Sequence, residues 1–187
     1  MAAPSSDATV LVVDDEQDVA DAYAVQLQID YNTQTAYGGE DALSKVDDSI
    51  DVVLLDRRMP NISGDEVLET IRARNIDCSV VMVTAVDPDF DIVDMSFNDY
   101  ICKPVDNDEL ITAIETQITA TKYGERLREY MNLSTKLELL KDEKSESALQ
   151  GSDEMKQLAE RVERLGSEVD EMVVSFEDSS KAFQDLV

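Results

Sequence analysis

The sequence predicts an α/β fold, a doubly wound five-stranded parallel sheet, followed by an α-helical hairpin or coiled-coil module. Three observations carry this reading. Short, almost unbroken apolar runs at residues 10–13, 52–55 and 79–83 alternate with helical patterns, as expected of parallel strands covered on both faces. Each run, and the shorter one at residues 100–102, ends in a polar residue or cluster: Asp14-Asp15-Glu16, Asp56, Thr84, and Lys103-Pro104. After Thr121 proline is absent, and charge and leucine take over.

The elements follow in order. Residues 9–14 read as the first strand. Residues 17–29 read as a helix, with Val19, Ala22, Tyr23 and Leu27 near helical spacing. Residues 33–37 form a short alternating strand, and Gly38-Gly39 turns into a helix carrying Ala42, Leu43 and Val46. Residues 51–56 are the third strand, 60–63 a loop, and 64–74 a helix with Val67, Leu68 and Ile71 inward. Residues 79–84 are the fourth strand, 88–95 a weak polar helix, and 98–102 a short fifth strand. Asp106 is placed to cap a helix running to about Thr121, with Leu110, Ile111, Ile114 and Ile118 as its inner stripe.

In the tail, Tyr123, Leu127, Tyr130, Leu133, Leu137 and Leu140 make an approximate helical stripe. Residues 142–153 are a polar break with a turn at Gly151-Ser152. Then Met155, Leu158, Val162, Leu165, Val169, Met172 and Phe176 alternate spacings of three and four, a heptad seam. Two packings stay open: a hairpin with the preceding stripe of the same chain, or an intermolecular coiled coil. The expected division is one domain over residues 7–121 and a helical module over 122–187.

The net charge is −26 over 187 residues, large enough to constrain function. Residues 1–121 hold 6 basic against 26 acidic residues, and residues 122–187 hold 10 against 16, so the acidity is distributed. Such a field repels nucleic acid and anionic membrane, which disfavours direct DNA binding. It resembles the surface of proteins from salt-in halophiles, where molar salt screens self-repulsion. No apolar run approaches a membrane span. The N-terminus lacks the basic region and apolar core of a signal peptide, and a cytoplasmic location is expected. Cys78 and Cys102 lie in or beside core strands and are expected to be buried free thiols.

In open parallel sheets, function gathers outside the carboxyl ends of the strands. That rule brings the carboxylates of Asp14, Asp15 and Asp56, the Thr84 hydroxyl and the Lys103 ammonium to one crevice. Three converging carboxylates repel one another without a cation, and a hard divalent ion, Mg2+ or Mn2+, suits their oxygens. Asp56 can act as a nucleophile towards phosphorus. Lys103 is a point charge fit for a phosphate oxygen. Taken singly, each aspartate is better read as a cap or a solvated side chain, Lys103 as a surface lysine, Thr84 as a strand-end hydroxyl and Tyr100 as a half-buried aromatic. The set changes the weighting.

Val13-Asp14-Asp15-Glu16, Leu55-Asp56, Met59-Pro60, Gly64, Val83-Thr84-Ala85, Tyr100 and Lys103-Pro104 stand in order and at matching spacing. Over about residues 7–121 this resembles the receiver domain of two-component response regulators, a flavodoxin-like fold. The resemblance implies phosphorylation of Asp56 by a sensor histidine kinase. It implies direct metal ligation by Asp15 and Asp56, contact through water from Asp14, and a further ligand from the Arg58 backbone carbonyl. Thr84 and Lys103 are then phosphate-binding residues, Thr84 and Tyr100 a switch pair, and Gly64 and Pro104 structural positions, with Lys103–Pro104 a candidate cis bond. The tail is similar to the C-terminal module of haloarchaeal HalX-type response regulators. It implies output by protein–protein interaction with an unknown downstream protein or a homodimer, with transcriptional regulation as one outcome.

On this reading the chain is a phosphoryl acceptor and not an enzyme with its own turnover. An aspartate-nucleophile phosphohydrolase is the enzymatic alternative, but it calls for Asp-x-Asp, and Arg58 stands two residues after Asp56. A scaffold using the receiver only for dimerisation is the third. Arg57 and Arg58, directly after Asp56, depart from common receivers.

Overall fold

A computed structural model describes residues 7–144, 149 and 151–184, with side chains in the last helix as far as Val173. The first six residues, positions 145–148 and 150 of the expected break, and the side chain of Phe176 lie outside the described residues. The chain divides into two compact units, Met1–Ile118 and Thr119–Val187.

The first unit is a five-stranded sheet of order β2-β1-β3-β4-β5, every pairing parallel. The strands are β1 (Thr9–Val13), β2 (Asn32–Ala36), β3 (Val52–Leu55), β4 (Ser79–Thr84) and β5 (Asp99–Cys102). The helices are α1 (Gln17–Leu27), α2 (Gly39–Lys45), α3 (Gly64–Ala73) and the start of α4 (Asn107–Glu143). All four residues of β3 and all six of β4 are buried, which is why their sequences show no alternation. The two faces of the sheet make separate cores. Leu11, Val53, Leu55, Val80 and Met82 pack with Val67, Leu68 and Ile71 of α3. Val10, Val12, Leu54, Val81 and Val83 pack with Ala20 and Leu27 of α1 and Leu110 and Ile114 of α4.

Local chemistry sets the helix starts. Ser63-x-x-Glu66 is a complete capping box: the Glu66 amide donates to Ser63 Oγ at 3.3 Å, and the Ser63 amide donates to Glu66 Oε2 at 2.9 Å. Asp106 caps α4 as expected, its Oδ1 accepting the Glu109 amide at 2.9 Å.

Four expectations need correcting. The polar helix expected at residues 88–95 is only a 3-10 segment, Phe90–Asp94. The run Asp87-Pro88-Asp89-Phe90-Asp91 is rich in poor helix formers, and too short to nucleate an α-helix. Second, α4 does not end near Thr121 but runs to Glu143, since no proline lies between those points and Gly124 alone does not stop it. Third, Cys102 is exposed, whereas Cys78 is buried, both as free thiols. β5 is the edge strand, and its last residue points away from the core. Fourth, β2 begins and ends one residue earlier than expected.

The second unit holds the remainder of α4 and α5 (Asp153–Gln184). Ion pairs Arg126–Glu168 and Arg161–Glu129 run between them, and Gly166 lies where a Cβ would meet the Tyr130 ring at 3.2 Å. In the two ion pairs the partner number falls on one helix as it rises on the other, so the two form an antiparallel hairpin within one chain. Met155, Leu165 and Val169 of the expected seam are buried. Among the described residues no helix is long and apolar enough to cross a membrane.

Candidate phosphoacceptor site

The parallel register delivers the site residues to one end of the sheet. Val13 pairs with Leu55, so Asp14 and Asp56 leave adjacent strands side by side. Backbone hydrogen bonds prolong the ladder past the strands: Asp56 N–H donates to Val13 O at 2.9 Å, Asp14 N–H to Ala36 O at 3.1 Å, and Lys103 N–H to Thr84 O at 2.8 Å. Strand order reverses between β1 and β3, so the crevice opens where Asp14 and Asp56 stand.

Carboxylate oxygens of Asp14, Asp15 and Asp56 lie within 4.8 Å of one another. Asp14 is 2 % exposed and Asp56 9 %, while Asp15 faces solvent. Lys103 Nζ is 2.6 Å from Asp14 Oδ2 and 3.5 Å from Asp56 Oδ1, so its ammonium bridges the two buried carboxylates. The Glu16 amide donates to the other Asp14 oxygen at 2.9 Å. Burial lowers the Lys103 pKa, but the hydrogen bond to Asp14 and the charges of Asp56 and Asp14 outweigh it, and the net shift is upwards. Burial pushes the Asp56 carboxyl up; Lys103 and a hydrogen bond from Thr84 only partly oppose this. Tyr23 of α1 faces the same charges, and burial raises its phenol pKa. Three oxygens this close fit one small cation with oxygen ligands at about 2.0–2.1 Å.

Around this cluster the loops are tightly fitted. A Cβ on Gly64 would stand 2.2 Å from the Asp56 carbonyl oxygen, so only glycine lets α3 begin there. The Gly64 amide donates to Arg57 O at 2.9 Å. The Lys103–Pro104 bond is cis. Tyr100 stands apart from the carboxylates: half-buried against Phe97, it donates its hydroxyl to Val86 O at 2.7 Å. The Thr84 hydroxyl accepts the Val86 amide at 3.4 Å, so Thr84 and Tyr100 grip the same residue. The Arg58 side chain is exposed in the β3–α3 loop.

Arg57 is the residue that sequence reasoning noticed without assigning. Its guanidinium is buried and holds Asp65 of α3, Nε to Oδ1 at 3.0 Å and Nη2 to Oδ2 at 3.2 Å, and also Asp91 of the 3-10 segment. Those two hydrogen bonds, Asp91 first, raise its already high pKa. The partners lie 8 and 34 positions away, and no local pattern points to them. Tyr23 was read as a core position only, and nothing in its spacing marks its place beside the site.

The model of the response regulator receiver domain matches residues 10–115, and the chain belongs to that family. The model of the HalX domain matches residues 119–187. A candidate transcriptional regulator of Haloferax volcanii is 42% identical over 165 residues, covering 88% of this chain and 28% of that protein. The response regulator SaeR of Staphylococcus aureus is 28% identical over 117 residues, covering 60% of this chain and 51% of SaeR. The chain thus spans about a quarter of the first relative and about half of the second. Among solved structures, the response regulator protein TrrA of Thermotoga maritima, in complex with Mg(2+)-BeF, is 33% identical with a TM-score of 0.51, covering 59% of this chain and 98% of that one. A response regulator receiver domain protein from Clostridium thermocellum is 31% identical with a TM-score of 0.56, covering 62% and 97%.

Proposed function

We propose that this chain is a response regulator of a two-component system, phosphorylated on Asp56 by a sensor histidine kinase. The observation that carries the reading is the bridged pair: two buried carboxylates at adjacent strand ends, joined by one lysine, with a third carboxylate at the rim. An Asp56 oxygen attacks the phosphorus of a phosphohistidine, the P–N bond breaks, and the imidazole nitrogen keeps the electron pair. Lys103, already within 3.5 Å of Asp56, is placed to meet an oxygen of the incoming group. Asp14, Asp15, Asp56 and the Arg58 carbonyl would hold Mg2+ or Mn2+. The ion, when bound, neutralises charge on the transferring phosphoryl group. The bound Mg(2+)-BeF of the Thermotoga relative supports that assignment.

The phosphoryl oxygens then offer the Thr84 hydroxyl a stronger acceptor than its present partners, and Tyr100 senses the move through Val86. Residues 7–121 form the receiver and 122–187 the output module, which acts by protein–protein contact with a downstream partner or a second copy. The Haloferax relative's description supports a transcriptional output. A cytoplasmic site of action fits this role.

Acetyl phosphate with magnesium tests the assignment. Mass spectrometry should find one added HPO3 group on the intact protein, lost in Asp56→Asn. Equal labelling of Asp56→Asn overturns the assignment. Release of phosphate over many turnovers favours a hydrolase, and no adduct at all favours a scaffold.

A further inference from the structure

The β4–β5 connection of this chain has no α-helix to anchor it, and Phe90 and Val93 in its 3-10 segment are 91 % and 75 % exposed. Among the described residues, the side-chain ion pair that ties this segment to the rest of the receiver is Arg57–Asp91. Arg57 itself is immobilised. It is buried, it grips Asp65 through two nitrogens, and its backbone carbonyl accepts the Gly64 amide. Nearby, the Tyr100 hydroxyl donates to the Val86 carbonyl at 2.7 Å. Val86, whose amide donates to the Thr84 hydroxyl and whose carbonyl accepts the Tyr100 hydroxyl, leads along the backbone to Asp91, which Arg57 holds.

We propose that Arg57 is a positioning residue for the phosphoacceptor site, a latch that holds the Phe90–Asp94 segment in the resting arrangement and so opposes phosphorylation of Asp56. This rests on the receiver reading above. An oxygen carried on Asp56 draws the Thr84 hydroxyl away from the Val86 amide, and the backbone from Val86 onward must then shift. Asp91 lies on that backbone, and its bond to a fixed guanidinium resists the shift. A contact that favours the resting arrangement lowers the affinity for whatever favours the other one. Linkage requires the reverse as well: the phosphoryl group must weaken the latch. Asp91 is 55 % exposed, so the bond is partly screened, and its effect is modest.

Asp91→Asn removes the charge of the latch and leaves Arg57 paired with Asp65. Asp94→Asn makes the same charge change in the same segment at a carboxylate that is not among the ion-pair partners of Arg57, and Asp91→Glu keeps the carboxylate. Two measurements on the full chain decide the matter. The first is hydrogen exchange of backbone amides 86–95 without magnesium or phosphoryl donor. The second is binding of beryllofluoride, a phosphoryl mimic, with magnesium. Asp91→Asn should exchange faster over those amides and bind beryllofluoride on the order of two- to fivefold more tightly, as the breaking of a part-exposed ion pair allows. Asp94→Asn should match the wild type, and Asp91→Glu should return most of the difference. If beryllofluoride binds the wild type but Asp91→Asn and Asp94→Asn behave alike, the latch is overturned while the receiver reading stands. If the wild type binds no beryllofluoride, both fall.

Discussion

Lys103→Met tests the bridged carboxylates most directly. The side chain of Asp14 is 3 % exposed, and its ammonium partner sits at 2.6 Å. At an effective dielectric of about 20 the Coulomb attraction across that distance is on the order of 6 kcal/mol. Desolvating both groups returns part of this, and breaking such a pair by removing one partner typically costs about 3–5 kcal/mol. The Glu16 amide remains as a donor to Asp14, which argues for the lower end, about 3 kcal/mol. For a domain of this size that is a fall in Tm of about 10 °C or more. The assay is thermal unfolding by circular dichroism with EDTA, in the same molar KCl for both proteins. Magnesium adds a second arm. In the wild type, Lys103 competes with the ion for Asp14 and Asp56; in Lys103→Met that competition is gone, so the ion should bind about tenfold more tightly, a change of about 1.4 kcal/mol. At a hundred times its Kd a ligand adds about 2.7 kcal/mol of stability, enough to close most of the deficit. A Lys103→Met protein as stable as wild type in EDTA, with an unchanged magnesium midpoint, would refute the view that Lys103 neutralises these carboxylates.

Three further outcomes are expected. Burial raises the Asp56 pKa, so the folded state binds this proton more tightly than the unfolded chain. The resulting stability is present below the ordinary carboxylate range and is lost as pH rises through the folded pKa. Without divalent ions, Asp56→Asn should therefore gain on wild type as pH rises from about 4 to about 7, and a constant difference in denaturant midpoint contradicts this. Self-repulsion in a receiver segment with 6 basic and 26 acidic residues should make Tm climb steeply from dilute buffer to molar KCl; a flat profile removes the argument from charge. Leu165 is 2 % exposed, and Leu165→Asp should cost about 3 kcal/mol or more by placing a charge where an apolar side chain was buried. Circular dichroism should then show lost helicity in the tail. Light scattering tells whether mass falls as well, and a variant unchanged in both means that the seam is not buried in solution.

The strand ends were legible because a parallel sheet obeys a simple rule: wholly buried strands lose their alternation, and their carboxyl ends converge. The run Val52-Val53-Leu54-Leu55 closing on Asp56 marked both the buried strand and the carboxylate at its end. Cys102 failed for a related reason. Sequence shows that a strand is apolar but not that it is the edge strand, where one face loses its cover. The 3-10 segment was misread because Phe90, Ile92 and Val93 mimic a helical stripe, while three aspartates and Pro88 oppose one, and local propensity decided. In the sequence Arg57 stood out only as a departure from common receivers. Its partner Asp91, 34 positions away, reaches it only through the folded connection. The hairpin in the tail likewise became visible through Arg126–Glu168 and Arg161–Glu129, pairs that a heptad pattern permits without requiring.

Charge arithmetic ties the site to the rest of the chain. Asp14, Asp15, Asp56 and Lys103 together carry three negative charges and one positive, leaving two negative at one end of the sheet. A single divalent cation would cancel that remainder. Replacing the Asp56 carboxylate charge by a phosphoryl group adds about one further negative charge at neutral pH. On the proposed reading that excess would fall beside Lys103, 3.5 Å from Asp56, and beside any bound cation. Arg57 is close in sequence but committed elsewhere, its guanidinium shared by Asp65 and Asp91. The new charge therefore cannot recruit Arg57 without breaking those bonds. If Asp56 is the phosphoacceptor and the proposed latch holds, the residue next to it serves the loop that must move, and the balance between those two demands would set how readily Asp56 is modified.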